Sequence, residues 1–299
     1  MDKYREMIMD GIKERHPNCG VTVECVKGNN GTSYEGFLVK LFDVQCFPVI
    51  PCDELECALQ DEECDLAEVL DKVDEVLENR VDLDASFFMD YEKVRDKIYI
   101  RVINKEQNKE LLERAPHLEY LDLAVTFRIG PIHTGKNEGS TLITYPMFQA
   151  WRITEDELFE VAYENSFKTM PEIVPMTTLM RQMMSKEDVE LDIDLALEVK
   201  GRDKEYMYVC GHGTIAGAAC ILNKELLQRF SKEVDEDVLI LPSSIYELLF
   251  LPMRDEYEVE RFVQMVEEVN CNVVSENEIL SFHIYKYDRR KDEVIDLCA

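Results

Sequence analysis

The chain has 299 residues, 46% hydrophobic and 32% charged, which fits a water-soluble globular protein with room for two or three domains. Its 62 acidic residues outnumber 33 basic ones, and the formal net charge of −29 repels phosphate backbones and disfavours a broad nucleic-acid interface. No apolar run approaches the roughly 20 residues of a membrane span, and the start, MDKYREMIMDGIKERH, lacks the apolar centre of a signal peptide, so a cytoplasmic protein is expected.

Residues 2–15 read as a helix, with Tyr4, Met7, Ile8 and Ile12 at helical spacing and Pro17 and Gly20 closing it. Val21–Val26 alternates as a strand, Asn29-Asn30-Gly31 signals a turn, and Phe37–Leu41 and Cys46–Ile50 read as further strands. In the next segment Leu66, Val69, Leu70, Val73, Val76 and Leu77 form one helical stripe. Its acidic face, with Asp71, Asp74, Glu75 and Glu78, reads as a solvated surface or as a docking surface for a basic partner. Six of the ten cysteines fall before residue 65 (Cys19, Cys25, Cys46, Cys52, Cys57 and Cys64), and no C-x-x-C pair occurs among them. Reduced thiols packed as small apolar groups are expected, with no metal and no cofactor.

After a boundary near residues 81–95, Lys97–Ile103 reads as a strand and Glu106–Ala115 as a helix stopped by Pro116. Leu121, Leu123, Val125, Phe127 and Ile129 alternate strictly with Asp122, Ala124, Thr126 and Arg128, the pattern of a half-buried strand. His133–Ser140 reads as a loop, Thr141–Met147 as a strand, Thr154–Glu157 as a capping box opening a helix, and Pro171–Met176 as extended. Trp151 is expected in the core. Met180, Met183 and Met184 read as a buried edge or an adaptable contact surface, and Glu187–Glu198 as an edge strand or linker.

The series then recurs: strand Glu205–Cys210, helix within Ala216–Val234, hairpin Val238–Leu241 and Leu248–Leu251 with a polar corner at Pro242–Glu247, helix Glu256–Val269, strand Phe282–Tyr287. Pro242 is expected to end its strand. Asn108-Lys109-Glu110-Leu111-Leu112-Glu113-Arg114 has a counterpart in Asn223-Lys224-Glu225-Leu226-Leu227-Gln228-Arg229. The expected class is therefore α+β, with an N-terminal α/β segment (1–82), a first β-α-β-β-α-β, ferredoxin-like unit (83–176), an acidic linker or edge segment (177–203) and a second such unit (204–299). Two similar helices by coincidence is the competing reading. The basic cluster Lys286, Arg289, Arg290 and Lys291 reads as a solvated strand end.

The runs ILPSSIYELLFLP (240–252) and ERAPHLEYLDLAVTFRI (113–129), with the MYV…GAACIL arrangement, together resemble the bacterial family called domain of unknown function 5688, over about residues 1–290. The resemblance implies a cytoplasmic protein of Firmicutes, encoded near mobile elements, and supplies no activity. The family has His after Ser-Ser-Ile where this chain has Tyr246, so no catalytic role is carried to that position.

Three stretches invite chemistry. Ser243, Ser244, Tyr246 and Glu247 offer a nucleophile and a general acid or base. However, the five histidines (His16, His117, His133, His212 and His283) are scattered, and Ser244-x-x-Glu247 also fits a capping box around one helical turn. Gly211-His212-Gly213-Thr214-Ile215-Ala216 formally matches the dinucleotide pattern, with a glycine-permitted turn as the plainer reading. Gly130–Lys136 misses the phosphate loop, because Asn137 stands where a hydroxyl would hold magnesium and a strand follows.

No residue is assigned a catalytic role. The leading expectation is a non-enzymatic protein-binding or adaptor module that meets a basic partner through Asp71, Asp74, Glu75 and Glu78. The alternative is a small-molecule binder or enzyme with a cleft near Ser243–Glu247 and Gly211–Gly213, contacted by Ser243, Ser244, Tyr246, Glu247, Gly211, His212 and Gly213. A structural component of a mobile element is a third reading.

Overall fold

Alternating apolar positions make the first sheet, and amphipathic helices cover it. In the computed structural model, which describes residues 2–41, 47–61, 63–79, 85–134, 137–184, 207–254 and 258–299, helix α1 (Asp2–Arg15) leads into the antiparallel strands β1 (Cys19–Lys27), β2 (Ser33–Leu41) and β3 (Val49–Pro51). Helices α2 (Cys52–Gln60) and α3 (Leu66–Glu78) follow. The expected stripe of α3 is buried except at Val76, which is exposed, and Leu66, which is partly buried: Val69, Leu70, Val73 and Leu77 meet Ile8, Ile12, Phe37 and Val39 in one core. Asp65 and Glu68 close a capping box at the start of α3, and Arg15 of α1 bonds both Asp71 and Asp74 at 2.6 Å.

Short helices α4 (Ala85–Met89) and α5 (Tyr91–Val94) lead to β4 (Ile98–Asn104), α6 (Lys109–Leu112), β5 (His117–Tyr120), β6 (Leu123–Thr134) and β7 (Asn137–Leu142). Strand β6 is the long central one, paired antiparallel with β4 on one side and with β5 and then β7 on the other. Its apolar alternates Leu123, Val125, Phe127 and Ile129 are all buried, as the period-two pattern requires. The segment expected as a strand at Thr141–Met147 ends as one at Leu142. Pro146 then stands in the first turn of α7 (Tyr145–Trp151), where its missing N–H costs nothing. Helix α8 (Glu155–Ser166) opens with the predicted Thr154–Glu157 capping box, and Trp151 is buried with its indole N–H donated to the Phe88 carbonyl. The helix expected over Glu106–Ala115 is the single turn α6.

Strand β8 (Ile173–Pro175) and helix α9 (Met176–Met184) precede β9 (Tyr208–Cys210), a 3-10 turn at Gly217–Leu222, helix α10 (Lys224–Val234), strands β10 (Val238–Ser244) and β11 (Glu247–Pro252), helix α11 (Val259–Asn272), and strands β12 (Tyr285–Asp288) and β13 (Glu293–Asp296). The Glu187–Glu198 pattern and the side chains of Met183 and Met184 lie outside the described residues. The sheet runs β13-β12-β10-β11-β9-β8, antiparallel throughout.

The fold is α+β, but neither unit completes a ferredoxin-like order. In both, the first three strands lie as first-third-second: β4-β6-β5 and β9-β11-β10. Beyond these the units differ: in the middle unit β7 pairs with β6 and the fifth strand, β8, pairs with β9 of the later unit, whereas in the later unit the fourth strand, β12, sits beside β10. One continuous core joins the two, running from Val94 and Ile98 to Leu280, Tyr285 and Tyr287.

The expected hairpin at 238–252 forms, with Leu239 opposite Leu251 and Leu241 opposite Leu249. Pro242 departs from expectation. It is buried inside β10 opposite Leu248, and the register shifts immediately after it, which places the proline at a bulge.

Candidate functional site

Backbone geometry brings two of the three sequence stretches together. Gly211 (φ 89°), Gly213 (φ 65°) and Gly217 (φ 52°) all take left-handed conformations, so the chain folds back on itself directly after β9. Thr214 ties the turn, its backbone N–H and hydroxyl both donating to the Gly211 carbonyl. A methyl group on Gly217 would lie 2.9 Å from the Ile245 carbonyl and 3.2 Å from the Tyr246 Cα, so the glycine loop rests directly on the corner of the β10–β11 hairpin. The Ala218 N–H donates to Ile245 O at 3.2 Å and fixes that contact.

The corner itself is a tight turn with no helical residue. The capping box expected for Ser244 and Glu247 does not form, because Glu247 is already the first residue of β11. Its carboxylate has two other partners. Oε2 shares a proton with His212 Nδ1 at 2.6 Å, and Oε1 accepts from the Ser243 hydroxyl at 3.1 Å. His212, 51% exposed at the side chain, is therefore oriented by a carboxylate, and among the described residues its second ring nitrogen has no hydrogen-bond partner. Ser244 Oγ accepts the Tyr246 N–H at 3.1 Å.

Sequence reasoning missed the residues underneath. In the β4–β6 ladder Tyr99 stands opposite Arg128 and Arg101 opposite Thr126, so all four share one face of the sheet. The Tyr246 ring lies over Arg101, 4.8 Å from guanidinium carbon to ring centre. Arg101 Nη2 reaches the Tyr99 hydroxyl at 3.4 Å, while its Nη1 is sealed from water and has no hydrogen-bond acceptor. Arg128 donates from Nε to Ser140 Oγ at 2.8 Å and from Nη2 to the Ser140 carbonyl at 3.0 Å. Neither arginine has a carboxylate partner among the described side chains. Burial, with the like charge of Arg101, pulls the Arg128 guanidinium below its ordinary value against the opposing effect of Tyr99. Burial alone would push the Tyr99 phenol up. The charge of Arg101, hydrogen bonding with Ser140 and Arg101, and the charge of Arg128 outweigh it and bring the phenol down. Arginines at the polar positions of half-buried strands look like solvated residues in a sequence, and no local motif separates these two from others.

The remaining candidates lie elsewhere. Asp71, Glu75 and Glu78 are exposed and Asp74 is half-buried on α3, with Asp71 and Asp74 held by Arg15 and Asp74 also by His16 at 2.7 Å. Of the Gly130–Lys136 stretch, Gly130–Thr134 form the end of strand β6, and Gly135 and Lys136 lie outside the described residues. In the basic cluster, Lys286 pairs with Asp237 and Arg289 with Asp235. Asp122, His283 and Asp296 offer donor atoms within 4.8 Å of one another, a set too scattered along the chain to show as a motif. Ser281 and Tyr285 hydroxyls already donate to Asp122, and His283 Nδ1 is bonded to Asp296. A separate cavity of about 240 Å³ is lined mainly by rings and hydrocarbon, including Tyr120, Phe159, Leu227 and Tyr287. Burial pushes the Tyr120 phenol up to about 12. The Arg101–Arg128 face under Tyr246, with the His212–Glu247 pair carried on the same hairpin corner, holds more polar groups than this cavity and is the better candidate for chemistry.

Among the described residues no helix is long and apolar enough to cross a membrane. A model for a family described as one of unknown function matches residues 1–289. No curated protein and no solved structure matches the chain.

Proposed function

The chain belongs to the Family of unknown function (DUF5688), and from the geometry of its junction we propose that it binds a small anionic ligand there, between the β4–β6 face and the hairpin corner. One observation carries this reading. In a chain of net charge −29, Arg101 has a guanidinium nitrogen sealed from water without an acceptor. A buried, unpaired donor costs about 1–3 kcal/mol, and more when charged. A ligand oxygen that displaces the group now covering this nitrogen would supply the acceptor. Arg128 and the Tyr99 hydroxyl line the same face, and the hairpin corner whose Tyr246 covers Arg101 also carries Glu247, which holds His212, a group able to move a proton.

Isothermal titration of the full chain with inorganic pyrophosphate tests the proposal. Binding to the wild type should fall at least tenfold in Arg101→Met and in Arg128→Met. It should be unchanged in Arg289→Met, which removes a surface cation paired with Asp235. A wild type that takes up no pyrophosphate, or arginine variants that bind as well as it does, would refute the reading.

An exposed apolar stripe favours a second reading, the protein-binding adaptor. Met265, Val269 and Val273 recur at four-residue spacing along α11 and its end, and are 42%, 40% and 77% exposed. On this reading a basic partner also meets the α3 acids, where it competes with Arg15 for Asp71 and Asp74. Native mass spectrometry of the chain isolated from its host should then show a stoichiometric protein partner, and Val269→Glu should release it.

A further inference from the structure

We infer that the ligand of this junction is a nucleotide, a phosphate carried on a flat aromatic base, and that Tyr246 selects it by stacking. The inference rests on the anion-binding reading above and adds the chemical class. Two guanidinium groups with hydroxyls from Tyr99 and Ser140 around them suit a tetrahedral oxyanion with several acceptor oxygens better than a single carboxylate. That accounts for the phosphate.

The base is argued from Tyr246. A large aromatic ring at a two-residue hairpin corner, 47% exposed, is out of place unless it meets something. One face of the ring is covered by the Arg101 guanidinium, and the exposed remainder is a flat surface that any nucleobase can cover. The ring is also held in place. Ser244 binds its backbone N–H, and Gly217 abuts its Cα so closely that no other residue fits. Beside it the glycine loop leaves room: a methyl built on Gly213 would touch nothing within 4 Å, so ligand atoms can approach that backbone. A positioned ring backed by a cation whose Nη1 lacks an acceptor joins the two features that distinguish a nucleotide from a bare phosphate.

The test compares ADP with inorganic pyrophosphate, which carry the same diphosphate, by calorimetry in magnesium-free buffer on the full chain. Stacking of one base is expected to make ADP about tenfold tighter than pyrophosphate. Tyr246→Phe should keep that margin. Tyr246→Leu should abolish it, leaving ADP at the affinity that pyrophosphate has in the same variant, and an unchanged circular dichroism melt separates lost stacking from lost folding. Equal affinities in the wild type, or a margin that survives Tyr246→Leu, or one lost equally in Tyr246→Phe, would overturn the nucleotide inference while pyrophosphate binding left the anion site standing. Binding of neither compound would overturn both.

Discussion

Asn30 stands at φ 56° in the β1–β2 turn and spends its whole amide on distant parts of the chain. Its Nδ2 donates to the carbonyls of Glu276 and Ile279 at 2.8 and 2.7 Å, and its Oδ1 accepts from Asn108 Nδ2 at 2.7 Å. Asn108 is 2% exposed, so losing this partner leaves one N–H of its buried amide unpaired, although the amide keeps its bonds to the Asn104 carbonyl and the Asn30 backbone N–H. Asn30→Gly tolerates the backbone angle and should still lower stability in urea denaturation by about 1–3 kcal/mol. Asn30→Ala should cost roughly 1 kcal/mol more, because alanine resists positive φ. Asp74 supplies a pH-dependent case. Burial alone would push its carboxyl up, but hydrogen bonds from His16 and Arg15 outweigh that and hold it below the ordinary range. A depressed carboxyl contributes stability above the unfolded value, near about 4, and loses it as pH falls through the folded value. Asp74→Asn should therefore weaken the protein at neutral pH by about 1 kcal/mol or less. Acid titration followed by circular dichroism should show the two proteins converge once the wild-type carboxyl is protonated.

The glycine loop makes its prediction at the level of an element. A methyl on Gly211 would meet the Gly217 carbonyl oxygen at 2.3 Å at a φ of 89°, whereas one on Gly213 is strained only by its φ of 65°. Gly213→Ala should cost about 1 kcal/mol and keep the His212–Glu247 bond, while Gly211→Ala should cost about 3 kcal/mol or more and displace the loop. Thermal melts rank the two. Elements with strong periodicity were legible in the sequence: the α3 stripe, the β6 alternation and the hairpin around Pro242–Glu247. Tyr145–Trp151 was not, because its aromatic and β-branched neighbourhood resembles a strand and only Pro146 marks a helical first turn. Strand β13 was not, because Val294 and Ile295 sit among charges too few to set a period. At the site, Ser243, Glu247 and His212 were legible as chemistry-bearing residues, but their meeting depends on β9 lying next to β11 across 35 residues of sequence. Arg101 and Arg128 were invisible, since a strand pattern gives the side a residue faces and nothing about what covers that side.

The whole molecule carries a charge of −29, so like charges crowd together as it folds. Raising potassium chloride from about 20 to 300 mM shortens the Debye length to well under the width of a domain. The melting temperature should rise by several degrees. A fall would mean that surface pairs such as Arg15–Asp74 outweigh the general repulsion. The N-terminal core and the large shared core also differ in when they can exist. Among the described residues the first draws on residues 8 to 77, so its contacts are available once residue 77 has left the ribosome. The second needs Val94 and Tyr287 at once, with β8 waiting for β9 and then β11 to receive it. During synthesis the N-terminal sheet forms early and serves as a finished neighbour. Helix α8 covers part of the middle strands early, but the rest of their apolar surface stays bare until Leu280, Tyr285 and Tyr287 have been made, which is the interval in which this protein most needs a chaperone.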